Sequence, residues 1–500
     1  MSEFITEKNI NIFDLPHEML IAIFNKLNKI DVFYSIINVN QYMDQVILDP
    51  LFIRDLNFTR ELMPNNTCSI ENHILDKICE RILPKINDKV NKLTLEPISI
   101  ERILSNLEYP KLDCLSLVNF QQEILLKYFT DETYTNIRHL FLNQIKNLQI
   151  GTCDEISSEL NLFSTIISSC KYLNELDLYQ IFNDRGLATS ISNHSLTSCS
   201  SSSLIKLEIY VNTFEDCLYL LDGRLPCLST LIIHVLRIVP FSSHIDNTKK
   251  LPKLKCFSLA SYRDTKINES TYIDGNDLYD NICNYMPRLN QFTFSITTFI
   301  DDLNRNIYLP SNNEVQASFI GRYKQKVGSY VNTCPSKMQS ECRVYSLPYQ
   351  FKEYIDLSNA YSSNRFDKVQ HLIMCDKKPF GYELFKLVAR DFPFLRELSV
   401  CNTKAQEKKK QSYTLITFHY LTALRLSAAH VDYVEQFLLT EKTCLPRLST
   451  LTVEYESLAN VTKNFTNDAS RQNCAQLKRL LIEEPFVCPK HFHEYFPLLK

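Results

Sequence analysis

The densest cluster of soft ligands and nucleophiles in the chain is Cys488, His491 and His493. On an extended strand, His491 and His493 put both rings on one side, a spacing zinc can use. A structural zinc site takes four ligands. The nearest further sulfur is Cys474, so no metal site is expected. With 17 Cys and 11 His, a Cys–His nucleophile pair can be drawn in many places and none stands out. Cys334 and Cys342 are the thiols on which a Cys-dependent hydrolase would rest, because they fall in the least regular part of the chain. Phosphate-cradling loops need glycines at set spacing so that backbone N–H groups can approach the anion. The chain has seven glycines, and Gly321 and Gly328 fit neither a P-loop nor a dinucleotide fingerprint. The expectation is a protein without catalytic residues, metal or cofactor.

Composition points the same way. A net charge of −3 and a pI near 6.4 give no electrostatic footprint for nucleic acid. No apolar run approaches the ~18–20 residues of a membrane span. The first residues lack the basic start and apolar core of a signal peptide. The scattered cysteines contain no CxxC pair and read as reduced, buried thiols of the cytosol or nucleus. Asn464-Phe465-Thr466 is a glycosylation triplet only in a secreted chain. Lys408-Lys409-Lys410 reads as a solvated loop, as does the Ser-rich stretch from Ser195 to Ser203.

The elements that would position a binding surface repeat along the chain. The unit is apolar-x-x-apolar-x-apolar. Copies begin at Val90, Leu112, Ile137, Leu173, Leu204, Leu228, Leu254, Leu289, Val369, Leu395, Leu421, Leu448 and Leu477. Neighbouring copies lie 22 to 36 residues apart, except for one gap of 80 between Leu289 and Val369. The end of each unit alternates as a half-buried strand does, and helical stripes follow, several stopping just before Pro287, Pro393 or Pro446. Each unit is therefore expected to be one strand, a turn and one returning helix. This pattern resembles the leucine-rich-repeat solenoid, which implies a parallel concave sheet backed by convex helices. Regular repeats of that family carry Asn or Cys three residues past the last core Leu. Here Ile98, Phe120, Ile145 and Ile181 stand there, so the buried Asn ladder is expected to be missing.

Residues 13–52 have a different pattern. Leu15-Pro16 opens a helix, with Asp14 as cap or first-turn anion. Met19, Leu20, Ile23, Phe24 and Leu27 form a helical stripe. A second helix starts near Asp31-Val32, a third near Asn40, and Asp49-Pro50-Leu51-Phe52 closes the segment. Three short helices bury too little surface to stand alone. The segment resembles the F-box, through Leu15, Pro16, Glu18, Ile23, Phe24, Leu27, Asp31, Val32 and Asp49 to Phe52. The family's last helix often carries Trp. This chain has none, and Tyr42 and Phe52 occupy the corresponding places.

These resemblances imply residues 1–10 as a tail, 11–58 as F-box, 59–85 as a linking helical region, 86–295 and 369–500 as two halves of the solenoid, and 296–368 as an irregular insertion or degenerate repeats. Within the insertion, strands are expected at Asn306–Leu309 and Tyr354–Leu357. The implied fold is mixed α and α/β. The implied function is the substrate-recognition subunit of an SCF-type cullin–RING ubiquitin ligase. Leu15, Pro16, Glu18, Met19, Leu20, Ile23, Phe24, Leu27, Val32, Leu51 and Phe52 would meet a Skp-type adaptor. The concave face would hold a target protein, through Phe141, Asp177, Tyr179, Glu208, Tyr210, His371, Arg425 and Glu454, with Lys92, Glu96 and Lys206 among their neighbours. A charge at Leu15 or Phe24 should then abolish docking and spare stability. The alternative is a scaffold that uses the helices only as a structural cap.

Overall fold

The computed structural model describes residues 12, 15–37, 39–59, 70–152, 162–180, 200–237, 251–261, 266–267, 272–281, 283, 286, 289–301, 310–321, 326–334, 339–361, 363–406, 414–482, 486–489 and 491–499. Asp14, Asn306–Leu309, residues 195–199 and Lys408–Lys410 lie outside these residues. The chain divides into two compact units, one of residues 1–261 with 281–291, the other of 262–280 with 292–500.

The first unit opens with four short helices: α1 (His17–Phe24), α2 (Lys29–Ile36), α3 (Gln41–Ile47) and α4 (Pro50–Ile53). Each start is written into the sequence. Pro16 precedes α1, and the side chains of Asn28, Asn40 and Asp49 accept from the backbone N–H of Ile30, Met43 and Leu51. Three more elements lead on: β1 (Asp55–Asn57), α5 (Asn72–Arg81) and α6 (Leu83–Ile86).

The repeat then begins. Its elements are β2 (Lys92–Leu95), α7 (Pro97–Leu104), β3 (Cys114–Phe120), α8 (Gln122–Thr130), α9 (Thr135–Asn143), β4 (Asn147–Thr152), α10 (Leu162–Ser169), β5 (Glu175–Gln180), β6 (Lys206–Thr213), α11 (Phe214–Leu220), β7 (Thr230–Arg237) and β8 (Cys256–Ser261). β1 to β8 pair in sequence order and all in parallel. Leu56, Leu93, Leu115, Leu148, Leu176, Leu207, Leu231 and Phe257 are partners from strand to strand and form one buried column. Sheets of this parallel kind need cover on their apolar face, which the intervening helices supply.

Among its described residues the second unit has three sets of paired strands. In the first, β10 (Gln291–Asp301) pairs with β9 (Lys266–Ile267) in parallel and with β12 (Gln339–Leu347) antiparallel, and β12 pairs with β11 (Lys326–Cys334). Helices α12 (Gly275–Asn281) and α13 (Asn312–Ala317) belong to this part. Gly328 is required where it stands: a Cβ there would lie 2.3 Å from the Tyr345 ring. The six-stranded parallel sheet runs β13 (Glu353–Leu357), β14 (His371–Cys375), β15 (Glu397–Cys401), β17 (Ala423–Arg425), β19 (Thr450–Thr452) and β20 (Arg479–Leu481). Its helices are α14 (Tyr382–Asp391), α15 (Val431–Leu438), α16 (Tyr455–Val461), α17 (Asp468–Cys474) and α18 (Phe492–Tyr495), and β16 (Ile416–Thr417) pairs separately with β18 (Thr443–Cys444). Tyr345, Tyr349, Tyr354, Phe366 and Phe392 form a buried aromatic cluster, with Phe366 and Phe392 stacked at 4.8 Å.

The structure corrects three expectations. The triplet at Ile137 is helical: Ile137, Leu140 and Phe141 are the buried stripe of α9. The strand copy is Ile145, Leu148 and Ile150, eight residues later. An i, i+3 spacing belongs to both patterns, and tertiary burial decided between them. Glu96 and Glu454 follow the last core residue of their repeats, yet each is the N-cap of a helix, α7 and α16, and not a strand residue. Finally, a short polar ladder does exist in the second unit, one position earlier than expected. Asn359 donates to Asp376 (3.0 Å) and to the carbonyl of Lys378 (3.2 Å), and Asn402 donates to that same carbonyl (2.7 Å).

Asn473 is a buried polar side chain that makes four hydrogen bonds to the preceding repeat. Its amide donates to the carbonyls of Phe437, Leu438 and Thr443, and its oxygen accepts from the Leu445 N–H. Asn473→Ala leaves those groups buried without partners. It should cost about 1–3 kcal/mol, read as an earlier urea midpoint for the second unit by hydrogen exchange of α15 and α17. An unchanged midpoint would show that water replaces the amide.

Candidate functional site

Two surfaces combine exposure with a defined geometry. The first is on the N-terminal helices. Leu20, Phe24, Val32 and Phe52 are the inner residues: all are at most 3% exposed, and Phe52 meets Phe24 and Phe33 edge to face. They were expected in an adaptor contact, and burial removes them from it, because their side chains already form this small core. Met19, Ile23 and Leu27 remain outside at 51%, 38% and 53% exposure, spaced four residues apart on one side of the helix and its exit turn. Leu51 is 74% exposed, and Pro16 and Glu18 stand at the surface as well. Leu15 is half-buried, and its carbonyl accepts from the Tyr42 hydroxyl (3.1 Å).

A polar tie draws the two ends of this segment together. His17 Nε2 lies 3.1 Å from Asp49 Oδ2, and Asp49 also receives the Leu51 N–H at 2.8 Å. Burial pushes the Asp49 carboxyl up, but the Leu51 N–H and His17 outweigh it and bring it below the usual carboxylate range. The start of α1 and the exposed Leu51 of α4 are thereby held to one another.

The second surface is the open face of the parallel sheet in the first unit, opposite the leucine column. Ser116 donates to Gln149 Oε1 (3.1 Å), and Gln149 donates to Asp177 Oδ2 (2.8 Å), so one hydrogen-bonded row crosses β3, β4 and β5. Glu208 is the register partner of Asp177 on β6. Burial, and then the charge of Glu208, push the Asp177 carboxyl up to about 6. Glu208 Oε1 lies 3.6 Å from His234 Nε2, and the His234 ring stacks on Tyr210 at 4.3 Å. Tyr179 lies against Gly151, where a Cβ would come within 2.7 Å of its ring. Sequence reasoning missed four members of this cluster, Gln149, Ser116, His234 and Gly151. The first and last were hidden by the misplaced strand at Ile137, although repeat spacing from Ile145 would have aligned them.

The other expected residues separate. Phe141 is buried in α9 against Phe129, at 4.7 Å between ring centres, and has no open face to offer. Glu454 caps α16. His371 Nδ1 pairs with Glu397 Oε2 (3.1 Å) on the open face of the second unit. The Glu397 bond lifts the His371 pKa, and the same bond, helped by Arg425, lowers that of Glu397.

The cysteine and histidine candidates lie around α18 and on β11 and β12. His491 and His493 sit at the start of and within α18, not on a strand; Cys488 Sγ is 3.7 Å from His493 Nε2, and His491 faces Glu494 at 3.3 Å. Among the described residues no group of three His, Cys, Asp or Glu could hold a metal. Cys342 is buried, and burial pushes its thiol up to about 12, the wrong direction for a nucleophile. Among the described residues no helix is long and apolar enough to cross a membrane.

No protein-family model and no curated protein matches this chain. Among solved structures, the crystal structure of the Rad7 and Elc1 complex in yeast holds a similar chain, with 13% identity, 88% of each chain covered and a TM-score of 0.30. At that identity and TM-score the likeness carries no argument about fold, partner or activity.

The two faces of α1 predict opposite outcomes. Phe24→Asp should unfold the N-terminal helices, at a cost above about 3 kcal/mol. Met19→Asp and Leu51→Asp should stay within about 0.5 kcal/mol of the parent. Limited proteolysis and thermal melting distinguish the cases, and equal loss in all three would mean that Met19 and Leu51 are covered.

Asp177 predicts a pH dependence. Its folded carboxyl holds a proton more tightly than an unfolded aspartate near 4. Between about 4 and about 6 folding therefore takes up a proton, and stability falls as pH rises. Asp177→Asn keeps an acceptor for Gln149 and removes the charge. Its melting temperature should exceed the parent's at pH 7, with the gain gone at pH 4. A gain that is the same at both values would refute the raised Asp177 carboxyl.

Proposed function

We propose that this chain is the substrate-recognition subunit of an SCF-type cullin–RING ubiquitin ligase. Residues 15–53 act as its F-box and dock on a Skp-type adaptor, which links the chain to the cullin. The open sheet faces hold a protein target. The chain does no chemistry of its own; ubiquitin transfer belongs to the partner enzymes, and the work is done in the cytoplasm or nucleus.

The observation that carries this reading is the exposed row Met19, Ile23 and Leu27, with Leu51 beside the His17–Asp49 tie. Single exposed leucines are ordinary. Here Met19 and Ile23 of α1 and Leu27 of its exit turn align beside the side already filled by Leu20 and Phe24. An apolar stripe wider than its own core needs is explained by a second packing partner. Helix-in-groove recognition uses anchors at this spacing. For the target, the Tyr179 ring packs on Gly151 and the Tyr210 ring stacks on His234, and packed aromatics are good anchors in protein recognition.

Burial of Leu20, Phe24, Val32 and Phe52 favours a second reading, in which the helices are only a cap on a scaffold. Co-purification with a Skp-type adaptor separates the two. The parent chain should retain adaptor, and Met19→Asp with Leu51→Asp should weaken binding at least tenfold while the chain stays folded. Retention unaffected by both changes would rule out this docking surface. No adaptor bound by the folded parent would favour the scaffold.

A further inference from the structure

Cys375 ends β14 and Cys401 ends β15, two parallel strands in which they are direct register partners. The preceding pair, Met374 and Val400, is buried at 0% and 1%. Successive side chains alternate between the faces of a strand, so both thiols stand on the opposite, open face. Cys375 is exposed, Cys401 is half-buried, and no disulfide joins them. By contrast, Cys170, Cys217, Cys342 and Cys474 are buried, with their thiols pushed up by desolvation. Those four are shielded; the pair at the strand ends is not.

The sheet sets the distance between the two. Neighbouring strands lie about 4.7–4.9 Å apart. A disulfide spans Cα atoms roughly 4.4–6.8 Å apart, most often near 5.5–6 Å. The strand spacing falls inside that Cα range, toward its short end. Side-by-side Cβ atoms at that spacing lie a little beyond the roughly 3.5–4.5 Å a disulfide prefers, so closing the bond takes a small local shift. Bonds closed away from their preferred geometry are more easily reduced. Oxidisable and readily reducible together describe a reversible pair, not a structural cross-link.

We propose that Cys375 and Cys401 form a redox-responsive thiol pair, closed to a disulfide by hydrogen peroxide and reopened by a small thiol such as glutathione. The Cys375 sulfur, as thiolate, attacks one peroxide oxygen. The O–O bond breaks, a sulfenic acid forms, and hydroxide leaves and takes up the thiol's proton as water. The Cys401 sulfur then attacks the sulfenic sulfur, the S–S bond forms, and the hydroxyl leaves as a second water with the Cys401 proton. Two thiols have lost two electrons and two protons, and one peroxide has become two waters. Two glutathione thiols reverse the change and leave as their own disulfide.

The bond would tie two repeats on the face that carries His371 and Glu397, beside Asn402, whose amide holds the Lys378 carbonyl. Control of target binding by the bond rests on the receptor reading; formation of the bond does not.

The test is disulfide mapping on the full purified chain. After brief hydrogen peroxide treatment and alkylation, digestion and mass spectrometry should show one cross-linked peptide pair holding Cys375 and Cys401, lost after glutathione. Cys375→Ser and Cys401→Ser should each abolish that product and leave the melting temperature unchanged. Exposed Cys488 serves as the control and should gain no intramolecular disulfide. Three results would overturn the proposal: both thiols alkylated as fast after peroxide as before, over-oxidation of Cys375 without a bond, or pairing of Cys375 with a different cysteine. Because the readout is a covalent bond, it stands or fails whether or not the adaptor binds.

Discussion

One backbone bond, repeated, holds this architecture together. The first residue of each strand donates its N–H to a carbonyl just before the preceding strand. In the first unit Lys92, Cys114, Asn147, Glu175, Lys206, Thr230 and Cys256 donate to Arg54, Asn91, Asp113, Lys146, Asn174, Ile205 and Ser229, all at 2.9–3.1 Å. In the second unit His371, Glu397, Ala423, Thr450 and Arg479 make the same bond at 2.9–3.0 Å. This bond sets the register, and register stacks the leucines into one column. No single repeat buries enough surface to persist, so each depends on its neighbours for both hydrogen bonds and apolar cover.

Register on the buried side dictates register on the open side. If Leu176 must meet Leu207, then Asp177 must meet Glu208 on the other face. The like-charged pair is a consequence of packing beneath it, and the surroundings adapt: Gln149 donates to one carboxylate and His234 approaches the other. The same constraint places Cys375 beside Cys401 in the second unit, because Met374 and Val400 are locked together below them. Chemistry on these faces is thus arranged in rows across repeats, between residues far apart along the chain.

The N-terminal helices follow a different logic. Their caps are local, and their core is small: Leu20, Phe24, Val32, Phe33 and Phe52 fill it. A stripe wide enough to fill that core and still show Met19, Ile23 and Leu27 is wider than one interior needs. The polar tie from His17 to Asp49 is the piece that no periodicity reveals, since the partners are separated by three helices' worth of chain.

Sequence alone determined the spacing of most of the repeats, the starts of the short N-terminal helices, and the apolar stripe there. These are short-range properties: strand alternation, Asn and Asp caps, and Pro positions act within a few residues. Tertiary structure alone decided three things. It decided that Ile137 belongs to a helix and Ile145 to a strand, because the spacing i, i+3 serves both and only burial chooses. It decided which side of α1 is interior, since Leu20 and Met19 are equally apolar as letters. It decided that Gln149, Asp177, Glu208, Tyr210 and His234 form one cluster, because neighbours across a parallel sheet are set by pairing between distant repeats. Where a contact is made within one turn of chain it can be read from the residues; where it is made between repeats, the shared hydrogen-bond register determines it.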